Sequence, residues 1–187
     1  MQKMKKDSHH NVRVLALSAV LAAMSIVCGK YLAFNLGQFI RISFENLPIL
    51  LGGMLFGPVA GALIGAVADL VGCVLVGYAI NPMVTLGAVS IGALGGTVWH
   101  IVRGANFGVR VWLSVGIAHL VGSVTIKTLG LAVFYDMPFW QLLLWRLLNY
   151  LLVGSVEGAL LCAVMKNKAV ASLQRRYGAK RGNEREI

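Results

Sequence analysis

Residues 46–76 read NLPILLGGMLFGPVAGALIGAVADLVGCVLV, and Asp69 is the one charged side chain in that stretch. Gly57-Pro58 divides it, because proline belongs in the first turn of a new helix. The two halves are Asn46–Phe56 and Pro58–Val76. The second is long enough to cross a hydrocarbon core of about 30 Å, and the first is too short to cross it as a helix. The short half is expected to lie buried against neighbours or tilted within one leaflet. Gly57, Gly61 and Gly65 recur every fourth residue, and Asp69 is next on the same ridge. Small residues let helices approach closely in lipid. The ridge therefore places Asp69 against another helix and not against lipid, although glycines at this spacing also serve packing alone.

The same reading extends outward to four more apolar segments: Val12–Phe34, Pro82–Ile101, Val111–Phe134 and Phe139–Met165. Of the 187 residues, 58% are hydrophobic and 13% charged, where soluble domains carry about a quarter charged. The mean hydropathy is +0.76. A soluble fold of this size could not hide so much apolar surface. The expected fold class is an all-α membrane protein with six transmembrane helices in one bundle. The whole chain, 1–187, forms one membrane domain. Residues 1–11 are a cytoplasmic tail, 12–165 the bundle, and 166–187 a basic cytoplasmic tail, partly helical at the membrane surface.

Charge placement supports this topology. The chain carries 17 Lys+Arg against 7 Asp+Glu, a net +10. Lys3, Lys5, Lys6 and Arg13 precede the first apolar segment, and Arg103 and Arg110 bracket the longest internal polar break. Lys166, Lys168, Arg175, Arg176, Lys180, Arg181 and Arg185 follow the last segment. With six crossings, all of these fall on one side, which is the positive-inside pattern, with both termini cytoplasmic. Lys30 and Arg41 fall on the other side. The basic residues are not interleaved with aromatics, so a base-stacking nucleic-acid surface is not indicated. Cys28, Cys73 and Cys162 are isolated and lie in apolar segments, without metal-ligand spacing. Ser25-Ile26-Val27 ahead of Cys28 is wrong for a lipoprotein cleavage site. There is no internal repeat of the kind that builds many secondary transporters.

Ionisable residues inside membrane segments are rare and point to function. Four occur here: Asp69, Lys127, Arg146 and Glu157. Counted from the helix ends, the first three fall in the outer half of the bilayer, beneath the polar-aromatic loop Asn35–Glu45. A structural Asp–Arg or Asp–Lys pair is one explanation. A pocket open to the outside is the other, and two cations against one carboxylate favour it, with room for an anionic ligand. His119, Ser123 and Lys127 form a polar stripe at four-residue spacing, and Arg146, Asn149, Tyr150 and Val153 share a face with Glu157 deeper along it. His119 reads as a hydrogen-bonded core residue, and Glu157 as a structural partner. Most of the aromatics near the outer end suit an interfacial belt, and a few could sandwich a flat ring. No nucleophile elbow, phosphate loop or metal cluster occurs. Energy for active transport would have to come from another subunit.

The stretch Leu47-Pro48-Ile49-Leu50-Leu51-Gly52-Gly53 through Gly57-Pro58 to Ala68-Asp69-Leu70-Val71-Gly72, with Arg41-Ile42-Ser43-Phe44 ahead of it, resembles the substrate-binding S component of energy-coupling factor (ECF) vitamin transporters. Lys127-Thr128-Leu129 to Tyr135, Pro138-Phe139-Trp140 and Arg146-Leu147 resemble the folate-specific branch. The resemblance spans roughly residues 12 to 165. It implies a six-helix bundle with a ligand pocket in the outer half, in a bacterial cell membrane. It also implies a membrane partner, EcfT, with two ABC-type ATPases that supply the ATP hydrolysis, and toppling of the bound protein to carry the ligand inward. The family's small-xxx-small partner-docking motif maps to Ala19 and Ala23, with Ser18 and Ala22 at the same spacing.

Folate has a flat pterin, an aryl linker and a glutamate. Its carboxylates call for Lys or Arg, here Arg146 and Lys127. The donor-rich pterin edge suits Asp69, Asn149 or Glu45. Arg41, Phe44 and Trp140 complete the candidate set. No cofactor and no metal site is expected. The alternatives are an S component for another vitamin or a modified nucleobase, or a stand-alone secondary transporter using Asp69 and Glu157 as titrating sites.

Overall fold

The computed structural model describes the backbone of residues 2–36 and 40–177 and the side chains of residues 11–34 and 42–177. Helix α1 (Gln2–Ile26) ends in a π-helical turn, Val27–Tyr31. Two short strands, β1 (Phe34–Leu36) and β2 (Ile40–Ile42), pair antiparallel, with Asn35 opposite Arg41. Then come α2 (Asn46–Phe56), α3 (Pro58–Val76) and α4 (Pro82–Ile101). Helix α5 (Phe107–Ala118) runs through a π-helical stretch, His119–Ile126, into α6 (Lys127–Tyr135). Helices α7 (Phe139–Lys166) and α8 (Lys168–Tyr177) complete the order.

The glycine ridge works as the sequence indicates, with α4 as its partner. A Cβ on Gly61 would lie 2.5 Å from the carbonyl oxygen of Gly92 in α4, and one on Gly53 equally close to the same oxygen. Only hydrogen fits there, so α2, α3 and α4 meet backbone to backbone. Gly57, at φ 101°, turns the chain between α2 and α3. Every residue of α2 except Leu47 is buried. Asn81 caps α4, its Oδ1 accepting from the Met83 amide at 3.0 Å, as an N-cap side chain should. Its Nδ2 donates to the Gly130 carbonyl at 3.0 Å, which ties the start of α4 to α6. At the other end of α4 the Arg110 guanidinium lies 3.8 Å from the Trp99 ring centroid and donates to the Trp99 carbonyl at 2.9 Å.

The long helices expose apolar side chains outward. Val59, Leu63, Val67, Leu70 and Val74 are exposed on α3, and Leu144, Leu148, Leu151 and Leu152 on α7. Such a surface suits lipid and not water. Five helical stretches are long and apolar enough to cross a bilayer: Asn11–Tyr31, Pro58–Val76, Pro82–Ile101, Phe107–Tyr135 and Phe139–Lys166. The chain is a multi-pass, α-helical membrane protein. Helix α2, as its length requires, is not among the five.

Several boundaries differ from the sequence reading. Helix α1 begins at Gln2, inside the expected tail 1–11. The expected loop over residues 35–45 contains the strand pair. The first segment leaves α-helical geometry at Val27, short of its expected end at Phe34. In the basic tail, α8 packs Val170, Leu173 and Tyr177 against the core. The Tyr177 hydroxyl accepts from Arg13 Nη1 at 3.1 Å, and this bond holds the phenol below its usual pKa.

Candidate ligand pocket

A cavity of about 300 Å³ opens among the π-helical turn after α1, the segment between β2 and α2, and helices α3, α4, α6 and α7. That volume is at the small end for ligand pockets. Its charged lining consists of Lys30, Glu45, Asp69, Lys127 and Arg146, joined by Asn149, Tyr150 and Ser43. Val84, Leu131, Met137 and Leu142 supply the apolar part. Five predicted residues, Asp69, Lys127, Arg146, Asn149 and Glu45, therefore converge on one cavity. Three cations face two carboxylates across it.

Each charge is positioned differently. Lys127 is 3% exposed, and its Nζ lies 2.9 Å from Glu45 Oε1. Glu45 is fixed in turn by its carbonyl, which accepts from Ser25 Oγ at 2.6 Å. Asp69 Oδ2 accepts from Thr85 Oγ1 at 2.6 Å, so α4 is the helix that the glycine ridge brings against it. Arg146 Nη2 lies 3.3 Å from the Tyr150 hydroxyl, and its Cζ 5.4 Å from that ring. Among the described residues Lys127–Glu45 is an ion pair, and His119 and Glu157 share a hydrogen bond. The Asp–Lys or Asp–Arg pair that could explain the charges structurally is therefore absent among them. Arg146 faces no carboxylate partner there, and its Nε is buried without an acceptor.

Glycines make room for three of these side chains. A Cβ on Gly29, in the first π turn, would sit 2.7 Å from Glu45 Oε2. One on Gly72 would sit 2.8 Å from Lys30 Cε, and one on Gly87 would strike Lys127 Cγ. The π-helical stretches carry Lys30 and end just before Lys127. Single turns of this kind frequently mark functional sites.

The remaining candidates fall elsewhere. Trp140 is 74% exposed and sits edge-on to Phe139, outside the cavity. Phe44 is half-buried next to Glu45 and does not line the cavity. The Arg41 side chain lies outside the described residues. Ala19 and Ala23 are both exposed on α1, while Ala22 is buried. Ala19, Ser18 and Ala22 line an apolar groove of about 760 Å³ between α1 and α3. Sequence reasoning did not assign Lys30 or Tyr150 to the site. A cation inside the first apolar segment, and the place of Tyr150 on the Arg146 face, were the available signals. The described residues include no group of three or more His, Cys, Asp or Glu side chains able to hold a metal.

Apolar helices long enough to cross a bilayer, with a charged cavity among them, define a multi-pass helical membrane protein. The chain belongs to the family of ECF transporter substrate-specific components, whose profile matches residues 13–171. It is 26% identical over 156 residues to the folate transporter FolT of Clostridium novyi (strain NT), covering 83% of this chain and 89% of that protein. A crystal structure of FolT bound with folic acid superposes with a TM-score of 0.69 at 27% identity, over 83% of this chain and 95% of that one. The S component for biotin from an ECF-type ABC transporter shares the fold, with a TM-score of 0.61 at 16% identity, over 92% and 94% of the two chains.

Proposed function

We propose that this chain is the high-affinity folate-binding subunit of an ECF-type importer. The observation that carries the reading is the cavity itself, where a guanidinium with no salt bridge among the described residues shares one pocket with two carboxylates and an amide. A folate offers carboxylates at one end and a donor-rich pterin edge at the other. Arg146 suits a glutamate carboxylate, because a guanidinium meets a carboxylate through two parallel hydrogen bonds. Asp69, Asn149 and Glu45 suit the pterin edge, and Lys127 holds Glu45 while remaining in reach of a carbonyl or carboxylate. Arg41, Phe44 and Trp140 stay in the candidate set on the family resemblance alone.

The chain forms a single membrane domain in a bacterial cell membrane, with α2 as a sixth, short crossing and both termini cytoplasmic. Helix α2 can be short because protein surrounds it on all sides. EcfT and two ABC-type ATPases supply the energy, and Ala19 and Ala23 on the exposed face of α1 form the strip on which EcfT docks. Small molecules that copurify with the protein, released by denaturation and identified by mass spectrometry, test the ligand assignment. A folate is expected. Another vitamin or a nucleobase in stoichiometric amount would reassign the cavity.

A further inference from the structure

A second polar cluster lies deeper in the bundle, among residues that the ligand reading leaves unused. His119 is 4% exposed and Glu157 0%. Their Nε2 and Oε2 atoms are 2.6 Å apart, and His119 Nδ1 lies 3.1 Å from Ser123 Oγ. Both ring nitrogens are thus held, one from α7 and one from the π-helical stretch, and the plane of the imidazole is fixed. A buried ionisable pair is costly to desolvate, and replacing it by apolar residues is often neutral or stabilising. Stability alone is therefore a weak reason for it to be here.

The imidazole has a neighbour that reaches the cavity. The Tyr150 ring stacks on His119 with centroids 5.2 Å apart and planes 28° from parallel. Tyr150 lines the cavity, and its hydroxyl meets Arg146. Glu157, His119, Tyr150 and Arg146 form a continuous chain of contacts from the bundle centre to the pocket cation. The outward residues Leu147, Leu148, Leu151 and Leu152 are exposed, so this part of α7 is located by its inward side.

We propose that His119, clamped by Glu157 and Ser123, is a positioning residue that fixes the Tyr150 ring as a wall of the cavity and, through the Tyr150 hydroxyl, orients Arg146. The proposal rests on the reading of the cavity as the ligand site. Offset aromatic pairs contribute beyond their buried area, and losing the stack should weaken binding about tenfold.

The test compares two double variants, so that no buried acid is left alone. His119→Leu/Glu157→Leu removes ring and clamp, and His119→Phe/Glu157→Leu restores a ring. Each is made with Tyr150 intact and with Tyr150→Leu. Folate affinity is measured by calorimetry on the detergent-solubilised chain. The ¹⁹F spectrum of 3-fluorotyrosine-labelled protein, with Tyr150 assigned by its loss in Tyr150→Phe, reports the ring without any ligand. The ringless variant should bind folate about tenfold more weakly and move the Tyr150 resonance toward the other tyrosines. The Phe variant should recover most of both, and in the Tyr150→Leu background the ringless change should add nothing. An unmoved Tyr150 resonance overturns the proposal, as does an undiminished affinity loss in the Tyr150→Leu background. Absence of folate binding by the unaltered chain would count against the ligand assignment, and the ¹⁹F comparison would still decide the positioning role.

Discussion

Arg146→Met separates a ligand contact from a structural charge. This guanidinium has no carboxylate partner among the described residues, and it touches Tyr150 through a 3.3 Å hydrogen bond and its ring. Methionine keeps much of the stem's packing. The folded state loses one cation–π contact of about 0.5–1 kcal/mol at a half-exposed site and one hydrogen bond of about 1 kcal/mol. It also sheds the cost of a buried Nε without an acceptor. The net change in stability is therefore about 1 kcal/mol or less, from the opposing signs of these contributions. Binding should suffer far more, because a desolvated charged contact typically carries about 2–5 kcal/mol. At about 1.4 kcal/mol per decade, that is roughly 30- to 3,000-fold in Kd. Calorimetry with folate and thermal unfolding on the same detergent preparation measure both quantities. Affinity within threefold of the unaltered protein, accompanied by a large fall in unfolding temperature, would refute the reasoning.

Lys127→Met should reduce both binding and stability, because it removes the buried ion pair with Glu45, whereas Lys127→Met/Glu45→Gln should regain part of the stability but not the affinity; denaturation midpoints and Kd values for the single and double variants check this. Gly87→Val should displace Lys127, lower stability by about 1–3 kcal/mol, the usual cost of overpacking, and weaken folate binding; thermal unfolding and calorimetry on one preparation measure the two. Ala19→Trp or Ala23→Trp should abolish copurification with EcfT and energised uptake while leaving folate affinity within a few-fold, since both side chains are exposed on α1. Loss of ligand binding together with complex formation would show instead that these alanines pack internally.

The parts of the site that were legible in the sequence are those set by helical period and depth. Gly61, Gly65 and Asp69 announce their face because four-residue spacing and the cost of a charge in lipid both act locally. Asp69, Lys127 and Arg146 converge because their distances from the helix ends match, and Asn149 follows from sharing the Arg146 face. What the sequence hides is pairing across the fold. Glu45 meets Lys127 from 82 positions away, and no local pattern distinguishes it from Asp69 as the partner. The π-helical turns have no composition of their own, so the end of α1 and the course of α5 into α6 were read as plain helix. The sequence places Lys30 only on the outer side, and it is Gly72 that gives its stem a place to lie. Trp140 carries a suitable ring for a flat ligand, yet its exposed position reflects the side of α7 it occupies, which periodicity alone left open.

The central claim is that the chain by itself binds folate in the cavity of Asp69, Lys127 and Arg146. Titration of folate into the purified, detergent-solubilised protein without ATP or partner subunits tests it most directly. The account predicts saturable one-to-one binding that disappears or weakens by at least roughly 30-fold in Arg146→Met, the lower bound for a lost charged contact. No heat with folate, alongside clear binding of another vitamin, would contradict it.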